Sequence, residues 1–112
     1  MEDVELEVFK VQLESLKLEV EHTIEMLKER ARPVSPDVSL GRLTRQEALQ
    51  EQNVAKENLR QSELRLKKIH GALHRLHNKS FGECLECGDD IPRKRLEIMP
   101  ENGYCVSCAS GH

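Results

Sequence analysis

Large side chains that fill a globular core are scarce in this sequence. It has no tryptophan, and its only aromatic residues are Phe9, Phe81 and Tyr104 among 112 residues. A chain of this length forms one modest domain. With 33% charged residues and so few aromatics, it suits long helices that each bury a single apolar stripe. A large enzyme scaffold is excluded.

The sequence also lacks a basic excess, a long apolar run and a targeting signal. Seventeen Lys and Arg face 20 Asp and Glu, giving a formal net charge of -3, whereas proteins that bind nucleic acid through its backbone carry a clear positive excess. No stretch approaches the roughly 20 apolar residues that cross a bilayer, and no leader with a cleavage site is present. We expect a cytoplasmic monomer that binds neither membranes nor DNA directly.

Residues 4 to 31 predict a long helix. They contain neither Gly nor Pro, and their apolar residues recur at alternating steps of three and four, which is heptad spacing. Asp3 is a candidate N-terminal cap. The predicted seam consists of Leu6, Phe9, Leu13, Leu16, Val20 and Leu27, with Thr23 in the one gap.

A chain reversal and a second helix follow. Residues 33 to 41 hold two prolines and a glycine, which predicts a turn, and Thr44 with Glu47 forms a capping-box pattern. A helix over residues 45 to 78 should then pair with the first, because its seam also steps by four and three. That seam is Ala48, Gln52, Ala55, Leu59, Ser62, Leu66, Ile69, Leu73 and Leu76. We interpret the polar seam residues Thr23, Gln52 and Ser62 as setting the register.

The cysteines form two C-x-x-C pairs, Cys84 with Cys87 and Cys105 with Cys108, separated by 17 residues. In a reducing compartment this spacing predicts a tetrahedral four-cysteine zinc site rather than disulfides. Four thiolates leave no position for water, so the zinc is expected to be structural and the protein no enzyme. A redox pair and an iron site are the minor alternatives.

These elements predict an all-α fold, with a coiled-coil hairpin over residues 1–79, its tip at about 33–44, and a small zinc finger over residues 80–112.

Histidines 70, 74 and 77 lie beside the seam and are expected to face solvent rather than a second metal. Asp89 and Asp90 are expected to be solvated loop residues. The run 93–95 is open between a site for phosphate or an acidic partner and a solvated turn in which Arg95 pairs with a carboxylate.

The segment from Phe81, FGECLECGDDIPRKRLEIMPENGYCVSC, resembles the zinc finger of the DksA/TraR family of bacterial transcription regulators. The spacing matches through Cys87-Gly88, Ile91, Arg95-Leu96, Pro100 and Cys105, and a preceding helical hairpin is also a family feature. The resemblance implies a structural Zn²⁺ and RNA polymerase as the partner. Family members dock at the secondary channel of the polymerase, insert the hairpin toward the active centre and do not bind DNA.

The resemblance further implies two contact regions. The family's two tip aspartates and its tip alanine correspond here to Gly41, Thr44 and Gln46, so a basic tip is expected instead of an acidic one. Of the basic positions that members use for the alarmone ppGpp, Lys68 matches, but Met99 and Ala109 replace the others, so alarmone dependence is expected to be weak or absent. The candidate tip contacts are Asp37, Gly41, Arg42, Leu43, Thr44 and Arg45, and the candidate base contacts are Lys68, Arg93 and Arg95.

Two other functions remain open on the sequence. One is a zinc-stabilised coiled-coil adaptor, unrelated to polymerase, that binds another protein or itself. The other is a thiol redox sensor in which oxidation ejects zinc and unfolds the finger.

Overall fold

The structure, a computed structural model, describes residues 2–33 and 45–111. Its helices are α1 (Asp3–Arg30), α2 (Arg45–His77), α3 (Arg93–Ile98) and α4 (Val106–Ser110). The two long helices run antiparallel, since the end of α1 meets Gln52 near the start of α2 and Phe9 near the start of α1 shares a core with Ile69. The predicted all-α hairpin with a C-terminal finger is confirmed.

The boundaries of both arms lie within one residue of the prediction, but the cap of α1 was misplaced. Glu2 has extended backbone before the helix, and Asp3 is already the first helical residue. Asp3 and Glu5 therefore act in the first turn, where negative charge interacts favourably with the helix dipole. Only Pro33 of the predicted turn at residues 33–41 is among the described residues, and Thr44 of the predicted capping box also lies outside them.

The buried face of α1 departs from the predicted seam at one position. Val20 and Leu27 are buried as expected, but the residue between them that faces α2 is Ile24, only 6% exposed. Thr23 is exposed and its hydroxyl donates to the carbonyl of Glu19 at 3.0 Å, so its predicted register role is wrong. The cause is that 3.6 residues per turn drift away from a strict heptad repeat.

Gln52 ties the start of α2 to the end of α1. Its side chain is buried, and its amide nitrogen donates to the carbonyls of Ala31 and Arg32 at 3.3 and 2.9 Å. Ala31 caps the end of α1 and Arg32 follows it, so these two carbonyls have no partner inside the helix, and the Gln52 amide binds them where the chain leaves α1. This contact fixes how far α2 lies along α1, as expected of a residue that sets register.

At its other end α2 terminates in a left-handed residue. Lys79 has a φ of 61°, its amide donates to the carbonyl of Leu76, and the amide of Ser80 donates to that of Arg75. This is the Schellman arrangement, in which glycine is the usual left-handed residue. It turns the chain from α2 into the finger.

The molecule is a rod with its finger at one end. Its extents are 58 × 30 × 20 Å and its radius of gyration is 18.6 Å, against about 13 Å for a compact domain of this size. At the base, the rings of Phe9 and Phe81 lie 5.2 Å apart, and one apolar cluster joins both arms to the finger. The division between residues 79 and 80 stays a prediction.

None of the helices in the described parts of the chain has the length and apolarity needed to cross a membrane.

Replacing Gln52 with glutamate should destabilise the hairpin. A carboxylate there faces two carbonyl oxygens and donates to neither, so the free energy of unfolding should fall by about 1–3 kcal/mol at neutral pH. Urea unfolding followed by circular dichroism measures the change. Gln50→Glu, at an exposed position of the same helix, is the matched control, and equal stabilities of the two variants would contradict the contact.

Replacing Lys79 with glycine should stabilise the protein. A residue with a side chain in the left-handed region costs roughly 1 kcal/mol, which glycine avoids. We expect the free energy of unfolding in urea to rise by about 0.5–1 kcal/mol. Lys56→Gly, inside α2, should instead lower it by about 1 kcal/mol, and parallel behaviour of the two variants would show that the turn is not strained.

Candidate metal centre and the base of the hairpin

The first cysteine pair lies on a tight turn after α2. The amide of Gly88 donates to the carbonyl of Cys84 at 3.0 Å, and the amide of Cys84 donates to the carbonyl of Asp89 at 2.8 Å. Gly88 has a φ of 80°, which a residue with a side chain rarely adopts. The turn brings Cys87 back beside Cys84.

The second pair opens α4. Cys105 has extended backbone and its carbonyl accepts the amide of Ala109 at 2.9 Å, so Cys108 lies one turn further along the same side. We call the segments that carry the two cysteine pairs, residues 84–87 and 105–108, the first and second knuckle. The amide of Leu85 in the first knuckle donates at 2.8 Å to the carbonyl of Gly103, just before the second. The backbone therefore fixes the two pairs against each other.

The four cysteine sulfurs converge on one point. All lie within 4.8 Å of one another, and the Sγ atoms of Cys87 and Cys105 are 3.7 Å apart. A tetrahedral zinc with Zn–S bonds of about 2.3 Å needs sulfurs about 3.8 Å apart. The cysteines are free thiols, and in the described part of the chain they are the one cluster of His, Cys, Asp or Glu with ligand geometry. The donor set fits zinc.

The thiols of Cys84 and Cys108 differ in how readily they ionise. Amides of Cys87 and Cys105 donate to the Cys84 sulfur and lower the pKa of that thiol to about 6. The neighbouring thiols of Cys105 and Cys84 raise the pKa of Cys108 above its usual range. Sulfurs this close cannot all ionise unless a cation lies between them. A bound zinc would neutralise them and hold the knuckles together, with no position left for water.

The finger is fixed to both arms by polar contacts. Arg93 on α3 pairs with Glu5 of α1 at 2.7 Å, and Arg65 of α2 pairs with Glu101 at 3.0 Å. The Glu101 side chain is only 1% exposed, and one of its oxygens, Oε2, is buried without a hydrogen-bond partner. Sequence reasoning missed this ion pair, because its partners are 36 residues apart and no local pattern links them.

The run 93–95 begins α3 rather than forming a solvated turn, and its use as a site for phosphate or an acidic partner stays a prediction. Arg93 pairs with carboxylates, Glu5 and also Glu97 at 3.4 Å, while Arg95 donates from Nε to the carbonyl of Tyr104 at 3.1 Å. The predicted pairing of Arg95 with a carboxylate is therefore wrong. Arg95 is half-buried, and its hydrogen bond to Tyr104 holds the segment directly before Cys105.

The remaining candidate residues are spread over both ends of the rod. Lys68 is exposed and lines a groove of about 300 Å³ together with Met99 and Arg75. Ala109 lies in α4 and does not line this groove. Arg45, exposed, is the first residue of α2, at the end opposite the finger. The other tip candidates are not among the described residues: Asp37, Gly41, Arg42, Leu43 and Thr44.

The histidines and loop acids lie as expected. His70, His74 and His77 are exposed, and Nε2 of His74 is within hydrogen-bond distance of the side-chain nitrogen Nδ2 of Asn78, at 2.9 Å. Residues 89 and 90 are likewise exposed.

Removing a ligand should unfold the finger and leave the arms helical. For Cys84→Ser we expect zinc content near zero and a small loss of the 222-nm signal, because α3 and α4 contain only 6 and 5 residues. The melting temperature should also fall, since the finger contributes Phe81 and Leu96 to the shared core. Complete loss of helicity would show that the arms do not fold without the finger, which contradicts this prediction. Ser107→Ala, in the second knuckle, is the matched control.

The comparisons with known proteins agree with this architecture. Residues 79–112 match the family model for the prokaryotic dksA/traR C4-type zinc finger. An uncharacterized protein of Aquifex aeolicus is 32% identical over 93 residues, covering 82% of this chain and 60% of that protein. The RNA polymerase-binding transcription factor DksA of Buchnera aphidicola (from Acyrthosiphon pisum) is 32% identical over 103 residues, 92% of this chain and 63% of that protein. The chain thus spans about three fifths of the length of these relatives.

Solved structures share the fold. Transcription factor DksA2 from Pseudomonas aeruginosa superposes with a TM-score of 0.77 at 22% identity, covering 97% of this chain and 83% of that one. The RNA polymerase binding protein and transcriptional regulator Dks from Chlamydia trachomatis gives a TM-score of 0.59, also at 22% identity, over 99% and 90% of the two chains.

With the four converging sulfurs, the family match establishes a structural zinc. The chain belongs to the DksA/TraR family of C4-type zinc-finger proteins.

Proposed function

We propose that this protein is a transcription regulator that binds RNA polymerase at its secondary channel. The observation that carries the proposal is the shape: a two-helix rod whose one end is held by a zinc finger and whose total length is 58 Å. A pair of helices is roughly 20 Å across, which suits entry into a narrow channel. The Buchnera relative is named as an RNA polymerase-binding transcription factor.

The base of the hairpin would dock at the rim of the channel. Lys68 is exposed beside the finger and, among the described residues, forms no ion pair, so its ammonium is available to an acidic partner surface. Arg93 and Arg95 already bind Glu5 and the Tyr104 carbonyl. They would contribute mainly by holding the finger in its docking position.

The tip would act near the active centre. In place of the family's tip acids this chain has Gly41 and Thr44, and it offers Arg42 and Arg45. Guanidinium groups bind carboxylates and phosphates through paired hydrogen bonds. The proposed tip, which also includes Asp37 and Leu43, would therefore engage acidic side chains or phosphates of the transcription complex rather than its magnesium ion.

No enzymatic role is proposed. The four sulfurs form a closed ligand set, and a closed site activates no water. The regulatory effect would come from binding alone.

Binding to bacterial core RNA polymerase tests the proposal directly. The zinc-loaded chain should bind at micromolar concentration or below and be displaced by a known secondary-channel factor. Lys68→Glu should weaken binding several-fold, because it puts like charges at the docking surface. Lys56→Glu, exposed on the same helix but away from the base, is the matched control.

The tip variants separate docking from action. Arg42→Glu and Arg45→Glu should leave binding to the core enzyme nearly unchanged and should alter the effect on initiation in a transcription assay. Absence of competed binding by the unmodified chain would overturn the proposal and favour the adaptor.

A further inference from the structure

The outer face of α1 carries an apolar row that the fold does not use. Val4, Val8, Val11 and Leu18 are 74, 62, 59 and 69% exposed. With Ser15 they recur at steps of four and three, so they share one face of the helix, opposite the face that packs on α2. Single exposed apolar residues are common on proteins, but a row at heptad spacing is the pattern of a helix-binding seam.

Acidic side chains border this row. Glu7 and Glu14, seven residues apart, follow one edge, and Glu19 lies on the other. All are exposed, and no ion pair within the described ranges uses them. In coiled coils the positions that flank the seam choose the partner by charge. This edge favours a partner that carries Lys or Arg at the matching positions.

The contacts of the finger leave the row open. Arg93 reaches Glu5, and Gln12 donates to the carbonyl of Glu97 at 3.4 Å, so the finger lies against another side of α1. Val4, Val8 and Val11 border a shallow groove together with Asp3 and Glu7. A helix laid on this row would span about 20 Å between Val4 and Leu18.

A second copy of the chain fits this face poorly. Two α1 helices packed through it would place glutamates beside glutamates, which is repulsive. The outer surface of α2 is more basic, but its exposed apolar residues Leu49, Val54 and Leu64 are spaced by five and ten residues and form no continuous row. An anionic lipid surface would also be repelled by the acidic border.

We propose that Val4, Val8, Val11 and Leu18, with Glu7, Glu14 and Glu19, form a docking face for an amphipathic helix of another protein whose apolar seam is flanked by Lys and Arg. Apolar contact supplies the attraction, and the glutamates select the charge of the partner. The face does not depend on the polymerase-binding proposal, because it uses none of the tip or base candidates.

A pair of synthetic peptides tests the face. Both contain three heptads with Leu at the seam positions; one has Lys at the flanking positions and the other Glu. Fluorescence anisotropy measures their binding to the zinc-loaded full chain. The Lys peptide should bind at least tenfold more tightly than the Glu peptide at moderate salt.

Three variants identify the surface. Val8→Gln combined with Leu18→Gln should weaken the Lys peptide at least tenfold, whereas Val54→Gln, an equally exposed apolar position on α2, should not. Replacing Glu7, Glu14 and Glu19 with lysine should transfer the preference to the Glu peptide. Unchanged circular dichroism and zinc content show that each variant is folded.

Several outcomes would overturn the proposal. Equal binding of the two peptides, or binding that ignores Val8 and Leu18, would show that only diffuse charge attraction operates. Sedimentation that reveals a dimer dissolved by Val8→Gln would assign the face to a second copy. The assay contains no polymerase, so its failure leaves the polymerase proposal standing.

Discussion

Convergence of four cysteine sulfurs is the constraint on which the base of this molecule depends. The finger has only short helices, and its apolar residues Phe81, Ile91 and Leu96 do not form a core of their own. They belong to one cluster with Phe9 and Ile69 of the arms. Zinc bound by the four cysteines would hold the two knuckles in this conformation, so we expect metal binding and packing of the base to be coupled.

The rest of the hairpin is fixed from its two ends. Near the tip, Gln52 binds the carbonyls of Ala31 and Arg32, directly after α1, and sets the register of the arms. At the base, ion pairs of the finger with Glu5 and Arg65 hold both arms at once. The apolar seam between these ends supplies most of the attraction between the arms, and the polar contacts at the two ends fix its register.

Local periodicity accounts for what the sequence predicted. Heptad spacing predicted both arms within one residue, and the C-x-x-C spacing predicted which four residues form the metal site. Ile24 was missed because a strict seven-residue repeat ignores the drift of a real helix. Arg65 with Glu101 was missed because contacts distant in the chain leave no local trace. The left-handed turn at Lys79 was missed because its usual signal is glycine.

The short connection through Lys79 has a mechanical consequence. Ser80 is already hydrogen-bonded to the end of α2 and Phe81 is already in the shared core, so no flexible tether separates the finger from the rod. The finger and the two long helices therefore move as one body, 58 Å in its longest dimension. A rotation of a few degrees where the finger is held becomes a displacement of several ångström at the far end. A small rotation of the finger is thus amplified at the end of the arms where α2 begins.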